Sequence, residues 1–196
     1  MVTGRSPTIT TLTVFVVVFL LEWIALPLGL FGTLFVLTPP ASVDPWTLVT
    51  SVYAHATLQH LLVNSVGLLL TGVVLERATT RLRYHAFFVT TGALAGLAQI
   101  TVGTALGSGS GVLGASGAIF AFMGYLLTGN RLTDTVVVGV SLSGRVQLLV
   151  FLVIAAVVTL TTGSARAALI AHFTGLFVGL LAGRAHLLRA DRSRSI

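Results

Sequence analysis

Apolar residues in this chain run in long blocks, and charges punctuate them. Residues 6–21 carry no charge, Glu22 interrupts, and 23–43 are again uncharged. Further uncharged runs cover 45–75, 84–130, 146–165 and 167–183. About 20 apolar residues suffice for a helix to cross the hydrocarbon of a bilayer. Pro27, Gly29 and Gly32 close the first block, and the Gly-rich stretch 103–114 splits 84–130 in two. The pattern predicts six membrane-spanning helices at roughly 9–28, 57–75, 84–103, 115–129, 146–163 and 167–187. Residues 29–57 hold Asp44, Pro39, Pro40 and Pro45 with few helix signals. They read as a long connection, apolar enough around Leu34 to Leu37 to lie partly in the membrane interface.

Composition agrees with the blocks. Of 196 residues, 55% are hydrophobic and only 8% charged, and mean hydropathy is +1.01. Soluble domains are about 25% charged, so a soluble enzyme, a nucleic-acid-binding domain and a disordered chain are excluded. The expectation is an all-α membrane protein, a six-transmembrane-helix bundle forming a single domain over 1–196. The net charge of +6 comes from eleven arginines and no lysine. With six spans, Arg5, Arg77, Arg81, Arg83, Arg131, Arg145, Arg184, Arg189, Arg192 and Arg194 share one side, and Arg166 stands alone on the other. By the positive-inside rule both termini are cytoplasmic. The arginines then serve topology and attract membrane lipids with anionic headgroups, not nucleic acid. The first span follows Arg5 but lacks a small-x-small cleavage site before Pro27, so it reads as a retained helix. The expected location is a prokaryotic plasma membrane.

Polar groups at membrane depth need a reason. His60 and Asn64 are four apart and share one helix face. Both donate hydrogen bonds from uncharged side chains, which suits either anion stabilisation or interhelical bonding. Gly114-Ala115-Ser116-Gly117 opens the fourth span. Its glycines leave the Ser116 hydroxyl accessible beside free helix N–H groups; the plainer reading is an N-cap serine in small-residue packing. In the last span His172 precedes the glycine stripe Gly175, Gly179 and Gly183, which either sets a catalytic histidine in a close helix interface or simply packs a structural one. Glu22, near the outer end of the first span, could relay protons or partner polar groups of the loop, but snorkelling to the interface is the favoured expectation. His85 and His186 fall at cytoplasmic ends and receive no role.

A serine nucleophile needs a base, and His172 is the one another helix supplies. Asp44 lies in a loop, while Glu76, Asp134 and Asp191 fall on the cytoplasmic side, so a Ser–His dyad is expected and not a full triad. Counting rise per residue, His60, Ser116 and His172 sit at similar depth, outside the bilayer midplane. There is no cysteine, no H-E-x-x-H and no pair of aspartates within apolar spans, which removes thiol, zinc and aspartyl chemistry. His60 and His172 as axial haem ligands form a second reading, one that leaves Asn64 and the G-A-S-G turn unexplained. A non-catalytic binder or transporter is the third, without the internal repeat common in transporters.

The set H-A-T-L-Q-H-L-L-V-N at 55–64, G-A-S-G-A-I-F-A-F-M-G-Y at 114–125 and A-H-F-T-G-L-F-V-G at 171–179 resembles the rhomboid intramembrane serine proteases. The resemblance runs from about 44 to 183 and includes Glu76-Arg77. It implies a rhomboid-like bundle that hydrolyses peptide bonds in transmembrane protein substrates, without metal or cofactor. Ser116 would be the nucleophile and His172 the general base. His60, Asn64 and the Ser116 N–H would form the oxyanion hole. Gly114 and Gly117 would shape the turn, Gly175 and Gly179 the helix contact, and His55 would be structural. The connection 29–57 would be a membrane-embedded loop, and substrate would enter past the fifth helix. Two positions depart from the usual pattern. Phe120 stands where many members have Tyr, keeping an aromatic face for the histidine. Thr47 follows Trp46 where many have an Arg that organises the loop. An inactive, helix-binding relative is the alternative within the family.

Overall fold

Hydroxyl side chains start the long helices. In the computed structural model, Ser6 accepts the Ile9 N–H at 3.2 Å and Pro7 follows at the first helical position, so α1 (Pro7–Ala25) begins there. Thr57 caps α4 (Leu58–Leu75) by accepting the His60 N–H at 3.1 Å. Thr80 caps α5 (Arg81–Ala105) through the Arg83 N–H at 3.3 Å. Between α1 and α4 lie two short helices, α2 (Phe31–Phe35) and α3 (Thr47–Tyr53). Two apolar helices follow α5: α6 (Ser116–Thr128) and α7 (Leu169–Arg184). The structure describes residues 6–107, 110–129 and 168–189, with isolated helical positions at 146, 149, 150, 152 and 153. Among the described residues the architecture is all-helical. Three helices, α1, α4 and α5, are long and apolar enough to cross a membrane. The expected fifth span, 146–163, lies mostly outside the described residues.

The expected spans need adjusting at their ends. α5 begins at Arg81, three residues before the expected start, because Thr80 offers a cap and arginines mark the edge of the hydrocarbon without ending a helix. α1 stops at Ala25, where the chain turns toward Gly29 at φ +70°. The 29–57 connection is more ordered than its prolines imply. Its two helices are bound to each other: the Trp46 indole N–H donates to the Thr33 carbonyl at 2.7 Å, and the Thr50 hydroxyl donates to the Leu34 carbonyl at 2.5 Å.

α6 is central, packing most extensively on α7 and also against α5 and α4. Phe15, Leu68, Tyr84, Phe88 and Phe122 are fully buried where α1, α4, α5 and α6 meet. The outer face of α1 exposes Leu20, Trp23 and Ile24, the distribution a lipid-facing helix requires. At one end of the bundle Glu76 Oε2 accepts the Ser6 hydroxyl at 2.6 Å, the Thr8 hydroxyl at 2.7 Å and the Thr8 N–H at 3.2 Å. The Leu188 N–H donates to the Tyr125 hydroxyl at 3.2 Å, and the Arg83 guanidinium donates to the Arg189 carbonyl. These contacts gather the starts of α1 and α5 with the ends of α4, α6 and α7. Arg77, Arg81, Arg83, Arg184 and Arg189 stand at that end. The other six arginines lie outside the described residues.

Candidate active site

At the opposite end, the connection between α1 and α4 holds the segment that enters α6. Leu37 and Val112 exchange backbone hydrogen bonds of 3.0 and 2.9 Å, and the Gly114 N–H donates to the Ser51 carbonyl at 2.8 Å. Gly114 has φ +123°, which favours glycine. A methyl group there would sit 2.8 Å from His60 Nε2 and 3.8 Å from Asn64 Nδ2, so the backbone at Gly114 runs directly against the polar face of α4. Ala115, not Ser116, is the N-cap of α6, and it makes no side-chain cap bond. The N-cap reading of Ser116 is therefore wrong. As the first helical residue, Ser116 has its hydroxyl free for another helix.

That partner is His172, in the first turn of α7. Its Nε2 lies 2.8 Å from Ser116 Oγ. The Phe120 ring stacks on the imidazole, with centroids 4.5 Å apart and planes 17° apart. His172 Nδ1 is buried with no hydrogen-bond partner among the described residues, so no carboxylate orients it there. The close pairing depends on the small residues of α6 and α7. A Cβ on Gly175 would strike the Gly117 backbone, one on Gly179 the Ala121 carbonyl, and one on Gly183 the Thr128 hydroxyl. Backbone approach this tight is available only to glycine.

Ser116 and His172 open onto a cavity of about 790 Å³, whose walls include His60, Asn64, Gln99 and Phe120. The similar depth expected for His60, Ser116 and His172 is thus met. Asn64 is buried, and its Nδ2 has no partner among the described residues, which leaves an unbonded amide donor on a residue that lines the cavity. Gln99 was not singled out from sequence. Its Oε1 accepts the Ala171 N–H at 3.2 Å, beside His172. An amide within the third expected span, 84–103, was the available signal.

His55 is wholly buried, its ring edge-on to Phe15 at 4.7 Å and to His60 at 5.2 Å. Burial, with His60 close by, pushes its imidazole down to about 3, so the ring packs uncharged. Glu22 contradicts the snorkelling expectation. It is 3% exposed, and Oε1 accepts the His55 N–H at 2.8 Å. Thr47, the position where an arginine is absent, donates from its hydroxyl to the Asp44 carbonyl at 2.5 Å and starts α3. His85 is half-buried, its Nδ1 3.5 Å from the Thr11 hydroxyl.

Fold and site define a multi-helix membrane protein with a Ser–His pair facing a cavity at one end of the bundle. The rhomboid domain matches residues 42–189, and the chain belongs to the rhomboid family, which includes serine proteases. The match excludes α1, although α1 reaches the surroundings of the site through Glu22 and Phe15.

Proposed function

We propose that this protein is an intramembrane serine endopeptidase that cuts transmembrane segments of membrane-protein substrates. The observation that carries the reading is the 2.8 Å approach of His172 Nε2 to Ser116 Oγ, across two helices and facing a cavity. In this reading Ser116 Oγ attacks the scissile carbonyl while His172 takes its proton. The tetrahedral oxyanion accepts hydrogen bonds from the Ser116 N–H, Asn64 Nδ2 and His60. His172 then gives its proton to the leaving amine, which departs with the C-terminal product. Water, deprotonated by the same histidine, next hydrolyses the acyl ester and restores Ser116. Phe120 takes over the orienting role that an acid plays in a triad, holding the imidazole plane by stacking. The arginine-bearing end lies in the cytoplasm and the site lies toward the outer face.

The test is labelling of the detergent-purified protein by a fluorescent fluorophosphonate, paired with cleavage of a transmembrane substrate in lipid. The wild type is expected to label and to cut. Ser116→Ala abolishes both, and His172→Ala reduces both by about 10³-fold or more. Cleavage that survives Ser116→Ala removes the serine assignment. A folded wild type that neither labels nor cuts, yet retains substrate helices, makes it a non-cutting member of the family.

A further inference from the structure

We propose that Glu22 is a positioning residue for the oxyanion side of the site, acting through His55. The inference rests on the proteolytic reading of Ser116 and His172. Glu22 is the single charged residue of α1. An ionisable side chain at membrane depth carries a cost that a leucine would not. Its neighbours Leu20, Leu21, Trp23 and Ile24 face outward, while Glu22 is turned inward and buried. There Oε1 accepts the His55 N–H at 2.8 Å, and Oε2 has no hydrogen-bond partner among the described residues. Phe15 lies two turns earlier on the same face of α1, with its ring 4.7 Å from the His55 ring. One helix face thus grips His55 twice, by main chain and by ring.

The grip is close to the chemistry. Only Ala56 and Thr57 separate His55 from α4, and Thr57 caps that helix at the His60 N–H. The two histidine rings meet at 5.2 Å, and His60 in turn rests against Gly114. Held by Glu22, the 54–57 turn fixes where α4 begins and so where the His60 ring lies. Released, His60 keeps its helix but loses the backing that aims it at the cavity. A carboxyl and a carboxamide both offer an acceptor at this place; a hydrocarbon does not.

The experiment uses the full chain reconstituted in lipid, with Glu22→Gln, Glu22→Leu and Glu22→Met, each alone and with His60→Ala. Both apolar variants are expected to lower kcat by tenfold to about a hundredfold with KM within about twofold. Glu22→Gln is expected to retain most of kcat. On the His60→Ala background the apolar changes cost nothing further in kcat, whereas a general loss of stability would still lower it. The imidazole NMR signals of ¹⁵N-histidine-labelled protein give a readout independent of turnover. The His60 signal moves in the apolar variants and holds in Glu22→Gln. An unmoved His60 signal, full kcat in Glu22→Leu, or losses that multiply with His60→Ala each overturn the proposal. If the wild type neither labels nor cuts, the proteolytic reading fails, and the His60 signal alone then decides whether Glu22 sets that ring.

Discussion

Replacing Gly175 by alanine tests whether the α6–α7 approach sets the Ser–His distance. Gly175 lies three residues after His172, one turn away on α7. The Cβ added there lands on the carbonyl of Gly117, the residue next to Ser116. The added methyl is fixed directly to the α7 backbone and the group it meets is backbone, so nothing can rotate aside. Carbon and oxygen in contact need about 3.5 Å, so the helices must part by on the order of 1 Å. The Ser116–His172 pair stands at 2.8 Å. Adding that displacement takes it past the length at which a hydrogen bond holds. Over-packing of this kind costs about 1–3 kcal/mol of stability, which lowers the melting point and leaves the fold in place. The loss in kcat is larger, about a hundredfold for a misplacement near 1 Å.

The assay is turnover of a transmembrane substrate in proteoliposomes, at a temperature well below the melting point of each variant. KM is expected to stay within about twofold, since the cavity walls from α4 and α5 are untouched. Gly32→Ala is the control. Gly32 has a negative φ and open space where its Cβ would stand, and both parameters should match the wild type. Gly175→Ala turning over at the wild-type kcat would refute the claim that the glycine contact sets the catalytic distance.

Two further predictions concern single side chains. Phe120→Leu removes the ring stacked on His172 and is expected to lower kcat about 2- to 12-fold, the equivalent of 0.5–1.5 kcal/mol for an aromatic pair; Phe120→Tyr keeps the face and stays near wild type, and equal losses in both variants would refute the stacking role. Glu76 sits outside the spans: burial raises its pKa, but hydrogen bonds from Ser6 and Thr8, with Arg77 beside it, outweigh this and hold it below the ordinary 4.5. A depressed folded-state pKa gives stability that is present above the unfolded value and lost as pH falls through the folded one. The wild-type melting point should therefore fall below about pH 4.5, while Glu76→Gln is less stable at neutral pH and converges with wild type in acid; parallel curves would refute it.

What the sequence disclosed followed from how local each signal was. The apolar runs located α1, α4 and α6 closely, because transfer into hydrocarbon is decided residue by residue. The glycine stripe of α7 announced its own interface, since spacing four is a property of one helix. Ser116 and His172 were legible as candidates through their flanking glycines and motif order, although no local feature brings two helices together. α2 and α3 were missed because five and seven residues are too few for periodicity, and their stability comes from Trp46 and Thr50 reaching across the connection. For Glu22, snorkelling was preferred over partnering the loop for a related reason. Its acceptor role is set by an N–H 33 positions away, and a snorkelling carboxylate and an inward one look alike in sequence.

The site is assembled from two differently built halves. The Ser116–His172 pair belongs to α6 and α7, whose backbones touch at Gly117 and Gly175 and leave little room to shift. His60 and Asn64 belong to α4, whose start is held from behind by His55, Phe15 and Glu22. Gly114 links the halves at the cavity: its N–H is bound to the Ser51 carbonyl, a Cβ there would meet His60, and two residues later the chain becomes Ser116. A backbone with φ +123° is therefore placed where the two halves must agree in position. A side chain at Gly114 would strike the His60 ring and strain the turn in the same stroke. The glycine is needed less for flexibility than for closeness, since it lets His60, Asn64 and Ser116 line the same cavity.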